Sequence, residues 1–102
     1  MSLTCQWTKK GNGIMLSLRG QFSLSETGEF DAQIERILEQ NPDRLVIDMS
    51  ELSGIGSAGL GALLKMQLRA RQQECEVCLT SLQRNIEEVI RAARLDSVFT
   101  IS

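Results

Sequence analysis

The segment Ser53-Gly54-Ile55-Gly56-Ser57-Ala58-Gly59-Leu60-Gly61-Ala62-Leu63-Leu64 places four glycines and two serines between an apolar strand pattern and an amphipathic helix pattern. The start of a helix offers unpaired backbone N–H groups and the positive end of the helix dipole. A phosphate fits that environment, whether it belongs to a nucleotide or is carried by a serine of the segment itself. Ser57 stands at the helix start, and Ser53 lies in the loop before it.

Gly54-Ile55-Gly56-Ser57-Ala58-Gly59 reproduces the G-x-G-x-x-G letters of a dinucleotide site. In such a site the first glycine follows its strand directly, whereas Asp48 to Ser53 intervene in this chain. The acid that should close the following strand is missing, because Leu79 is followed by Thr80-Ser81. Gly56 and Gly61 have the spacing of a phosphate-binding loop, but Ala62 occupies its lysine position. These departures count against a nucleotide or small-ligand site and for a serine that is itself the target. The bland alternative is a turn whose glycines supply positive φ and close helix–sheet packing, with Ser57 capping the helix.

Cys75-Glu76-Val77-Cys78 has the letters of a redox pair but enters a strand, so it lacks the helix dipole that activates a thiol. The pair reads as structural, with Cys78 a small core residue. Histidine is absent, which removes the commonest general base and metal ligand. No cofactor, metal or enzymatic reaction is expected. The net charge of −2 offers no basic footprint for nucleic acid. No apolar run approaches the roughly 20 residues of a membrane span, and Met1 to Trp7 lack the pattern of a signal peptide. A cytoplasmic protein without membrane insertion, its thiols reduced, is the expectation.

The elements that must position the serines follow from periodicity. Residues 1–102 make one domain, and 42% apolar content suits a packed core. Leu3 to Lys10 and Ile14 to Arg19 flank Gly11-Asn12-Gly13, where Asn-Gly signals a hairpin. A helix capped by Ser25 carries Phe30, Ile34, Ile37 and Leu38, and Asn41-Pro42-Asp43 ends it. Leu45-Val46-Ile47 reads as an inner strand covered on both faces. The helix that Ser57 begins extends to about Gln72 and shows Leu60, Leu63, Leu64 and Leu68 as its apolar face. Val77 to Leu79 form a strand, Leu82 to Ala93 a helix, and Val98 to Ile101 a last strand. The fold class is α/β, ordered ββαβαβαβ, a mixed sheet with helices packed on it.

Leu45-Val46-Ile47-Asp48-Met49-Ser50 and Ile55-Gly56-Ser57-Ala58-Gly59-Leu60-Gly61-Ala62-Leu63 resemble the core of STAS domains of the anti-sigma factor antagonist type. That family's pattern is an apolar strand ending in Asp, a short loop, then Asp-Ser-Ser/Thr-Gly-Leu-Gly opening a helix. The resemblance extends through the hairpin, Gly20 to Leu24, and the ending Leu95-Asp96-Ser97-Val98-Phe99. It implies a partner-switching regulator whose Ser57 is phosphorylated by a serine kinase that is also an anti-sigma factor, and is dephosphorylated by a phosphatase. Ser53 is the second candidate acceptor. Gly56 replaces the motif's Asp and Ala58 its second Ser/Thr. The resemblance makes Gly54, Ile55, Gly56, Ser57, Ala58 and Gly59 a partner-binding surface, extended by Lys65 and Arg69, with Asp48 shaping the loop. It also suggests an alternative, an accessory STAS subunit of an ABC-type lipid transporter bound to the transporter's ATPase.

Overall fold

The computed structural model describes residues 2–102. Strands β1 (Leu3–Lys10) and β2 (Gly13–Phe22) form an antiparallel hairpin. Its two-residue turn is Gly11-Asn12, with Gly11 at φ +61, so glycine comes first as in a type II′ turn and not second as Asn-Gly suggested. A 3-10 turn, Leu24–Glu26, leads into helix α1 (Thr27–Glu39). Strand β3 (Arg44–Ile55) runs directly into helix α2 (Ser57–Gln72), followed by β4 (Glu76–Thr80) and helix α3 (Arg84–Ala92). A second 3-10 turn, Leu95–Ser97, precedes β5 (Thr100–Ile101), and the sheet order is β1-β2-β3-β4-β5 with β2 to β5 parallel. The last strand is shorter than expected because Val98 continues the turn and Phe99 drops into the core.

Register sorts the sheet residues into two faces. Leu16, Ile47 and Leu79 lie side by side and join one buried cluster with Phe30 and Ile34 of α1, Leu63 and Met66 of α2, and Ile86 and Ile90 of α3. Their neighbours Met15, Val46 and Cys78 line the opposite face, which no helix covers among the described residues. Val46 is therefore half-buried, not covered on both sides as its apolar neighbours suggested. Cys78 is buried at the edge of this face under Ser102, with Sγ 3.5 Å from the serine Oγ, while Cys75 belongs to the core on the other side. Burial, then the carboxylates of Asp43 and Glu76, push the Cys75 thiol above its ordinary pKa. Burial and Glu29 push the Cys5 thiol up to about 11.

Helix α2 buries only part of the leucine face that spacing suggested: Leu63 lies in the core and Leu60 packs partly against it. Its buried residues are Gly59, Ala62, Leu63, Met66 and Ala70, while Leu64 and Leu68 are 36% and 54% exposed. Gly59 is the reason. A Cβ there would lie 2.7 Å from the Phe22 carbonyl oxygen and 2.9 Å from Ile55 Cγ1. At its first turn the helix rests so closely on the end of β2 that no side chain fits at position 59, while Leu63 and Met66 reach the core farther along and Leu64 and Leu68 turn outward.

The start of α1 differs from the expectation as well. Ser23, not Ser25, caps the turn through a capping box with Glu26. The buried Glu26 carboxylate accepts hydrogen bonds from the Ser23 hydroxyl, the Ser25 hydroxyl and the Ser23 N–H, which lower its pKa to about 2.

Replacing Gly59 by alanine should cost about 1–3 kcal/mol of stability, because the contact is with backbone that cannot move aside. Gly61→Ala is the control: a Cβ there meets nothing, so removing a helical glycine should gain about 0.5–1 kcal/mol. Urea denaturation of both variants measures the contrast. Glu26 has a folded pKa below its ordinary value of 4.5, so its contribution is complete above about pH 4.5 and is lost as the pH falls towards 2. Acid denaturation of Glu26→Gln should show a flatter stability profile across that window.

Candidate functional site

The junction between β3 and α2 contains no loop of the kind the glycines suggested. Strand β3 continues through Ser53 and Gly54 to Ile55, and Gly56 alone turns the chain, with φ −100 and ψ −178. None of the junction glycines has positive φ; among the glycines that conformation belongs to Gly11 and Gly20. The bland reading therefore accounts for Gly59 alone, since a side chain at Gly56 or Gly61 would meet open space and one at Gly54 only ordinary contacts.

Gly56 is the N-cap of α2, and Ser57 is the first helical residue instead of the cap. The Gly56 N–H donates to the Phe22 carbonyl at 3.0 Å, which ties the junction to the end of β2. The helix has neither a side-chain cap nor an acid in its first turn. Its initial N–H groups thus face outward beside an exposed serine, and among the described residues none accepts from the Ser57 hydroxyl. Ala58 is half-buried, Gly59 buried, and Ile55 packs partly against the core.

At about 100° per residue, Ser57, Gly61, Leu64, Leu68 and Arg71 fall within about 40° of one line along α2. All five are exposed. Ser57 is therefore the head of an outward stripe that continues with a glycine and two leucines. The signal for this orientation was present in the small residues Gly59, Ala62 and Ala70 at helical spacing, but the leucines masked it. Lys65 and Arg69 lie to one side of the stripe, towards α1. Lys65 Nζ pairs with Asp31 at 3.3 Å, and Arg69 borders a cleft with Glu35 and Glu39.

Ser53 lies within β3, not in a loop. Its hydroxyl donates to the Gly20 carbonyl at 2.9 Å, and its own carbonyl accepts from the Asn85 amide at 3.0 Å. Gln83 makes the same kind of bond to the Ser50 carbonyl at 2.9 Å. These two amides from the start of α3 satisfy the edge of β3 beyond the end of the short β4. Sequence reasoning missed both, since nothing in a strand's own pattern announces that a side chain will replace its neighbour.

Asp48 does not shape the junction. It sits in mid-strand opposite Ser17 and Thr80, and its carboxylate accepts from the Ser50 N–H at 2.9 Å. Counted along β2 from Ser17 to Phe22, it is roughly 17 Å from the end of β3. Its position is explained by the irregular register between Ser17 and Arg19, where the strand bulges and its N–H groups need another acceptor.

Among the described residues no group of His, Cys, Asp and Glu side chains could hold a metal ion, and no helix is long and apolar enough to cross a membrane.

Known proteins share this fold. A Bordetella bronchiseptica protein described as an anti-sigma factor antagonist, BtrV, is 26% identical over 94 residues, covering 91% of this chain and 81% of that protein. The crystal structure of an anti-sigma factor antagonist from Mycobacterium paratuberculosis superposes with a TM-score of 0.83 at 21% identity, covering 98% of this chain and 85% of that one. The antagonist SpoIIAA in its unphosphorylated form gives a TM-score of 0.83 at 15% identity over 97% of this chain and 88% of its own. The family model described as "Mlab, STAS domain" matches residues 5–101, so the chain belongs to the STAS-domain family.

Proposed function

We propose that this chain is an anti-sigma factor antagonist that works by partner switching, and that Ser57 is its phosphorylation site. The observation that carries the reading is the exposed Ser57 hydroxyl at the head of the outward stripe of α2. The names of the relatives, antagonists of anti-sigma factors, support it. The partner is then a serine kinase that is also the anti-sigma factor, and a phosphatase restores the free serine.

The switch is local electrostatics. With Gly56, Ser57, Ala58 and Gly61 presenting little bulk, a partner approaches the backbone closely. Phosphorylation adds a charge of about −1.5 to −2 and three acceptor oxygens. The uncapped helix start favours that charge by about 0.3–1 kcal/mol, so the modified domain stays folded. Burying the same charge in an interface without a cationic partner costs several kcal/mol. Since about 1.4 kcal/mol is tenfold in affinity, release by two or more decades follows.

A second reading is favoured by one residue. Gly56 leaves no acid beside Ser57, and a chain that is never phosphorylated needs none. It would then be a constitutive accessory subunit bound to a transporter ATPase through the same surface.

Intact-mass measurement on protein from its native cell, followed by partner pull-down with Ser57 variants, separates the readings. The switch requires a phosphorylated fraction, partner retention by Ser57→Ala and partner loss by Ser57→Asp. Absence of modification together with retention by both variants would falsify it, and an ATPase retained by Ser57→Asp would establish the second reading. Gly56→Asp should stabilise the fold by about 1 kcal/mol in thermal denaturation, since the site has room, an extended backbone and an uncapped helix to accept it. Loss of stability would mean that this helix start is not the open cap described.

A further inference from the structure

Leu24 has no packing reason to be a leucine. Its side chain is 74% exposed, more than that of Leu64 or Leu68. Yet the turn that carries it is firmly held. Glu26 gathers the hydroxyls of Ser23 and Ser25 and the Ser23 N–H, and the Thr27 hydroxyl donates to the Leu24 carbonyl at 2.9 Å. A leucine displayed on an ordered turn loses little backbone freedom when it is bound, which lowers the cost of using it as an anchor.

The anchor and Ser57 belong to one surface. Both stand within two residues of the hydrogen bond from Gly56 to Phe22, and Leu64 and Leu68 continue the apolar line along α2. Ser23, Ser25, Gly56 and Ala58 are uncharged, and the Glu26 carboxylate is occupied by its serines. Helix α2 carries Lys65, Arg69 and Arg71 and no acid, so every charge bordering the apolar line on this helix is positive.

We infer that Leu24 anchors the docking surface around Ser57, and that this surface fits a partner protein whose aliphatic cup is rimmed by acidic side chains. The inference rests on the reading of Ser57 given above. An acidic rim pairs with Arg71 at the exposed end of the stripe and repels a phosphate at Ser57, so one charge pattern gives both attraction and release.

The test places the photocrosslinker p-benzoylphenylalanine at Gly61 of the full chain in its native cell, with Met15 on the bare sheet face as the control position. The captured protein is identified by mass spectrometry, purified and titrated. Leu24→Ser should weaken binding about tenfold or more with unchanged Tm. Arg71→Glu should weaken it too, with recovery when the facing acid of the partner is changed to lysine, and added salt should lower the affinity. The inference fails if Leu24→Ser binds as the parent does or if Arg71→Glu has no effect. It fails equally if Gly61 captures nothing beyond the Met15 control or only a second copy, or if the chain floats with phosphatidylglycerol vesicles in a Leu24-dependent way. Binding lost by Leu24→Ser but kept by Ser57→Asp would leave the docking surface standing without the switch. The reverse would remove the anchor and leave the switch.

Discussion

The approach of α2 to the end of β2 decides most of what this molecule presents to its surroundings. Gly59 lets the helix rest against the Phe22 carbonyl, and the Gly56 N–H bonds the same oxygen at 3.0 Å. With its first turn pinned in this way, the helix buries the side that bears Gly59, Ala62, Leu63, Met66 and Ala70, and its rotation about its own axis is set. Ser57 is consequently outside and at the head of a line of exposed residues. The same carbonyl stands two residues before Leu24, so the turn into α1 is held next to the start of α2.

The order of elements was legible because each announces itself by its own period. The hairpin, the helix bearing Phe30 and Ile34, and the parallel strands at Ile47 and Leu79 all appear close to where alternation or helical spacing puts them. What failed was whatever depends on a neighbour. Leu64 and Leu68 look like core by composition, but the closeness of a second element turns the face of Gly59, Ala62, Leu63, Met66 and Ala70 inward instead. Ser53 reads as a loop residue, and Asp48 as the end of its strand, because Ser50, Glu51, Ser53 and Gly54 have little strand propensity. Pairing with β2 through a bulged register, and bonds from Gln83 and Asn85, nevertheless keep the chain extended. At the candidate site the position of Ser57 at the start of a helix was readable, while the surface around it was not.

The sheet face without helices is unusual for strands that run parallel, since such strands are ordinarily covered on both sides. The chain meets the problem by chemistry. Gln6, Ser17, Asp48 and Thr80 share one row of the register, and Arg19 pairs with Glu51 at 2.9 Å nearby. Polar side chains at alternate positions make the face compatible with water, so all three helices remain on the side that also carries the junction.

Gln83 and Asn85 hold the far half of β3 with one side-chain bond each, where a neighbouring strand would use a continuous ladder. A ladder opens cooperatively, but two separate amide bonds to exposed carbonyls open one at a time and at small cost. The α3 side of this edge can therefore loosen at those two bonds, while the segment leading to Ser57 stays paired with β2 through Ile55. Ile86 and Ile90 keep α3 seated in the core, so the looser edge is confined to those two bonds, and Ser57 follows a strand laddered along one side and held at separate points along the other.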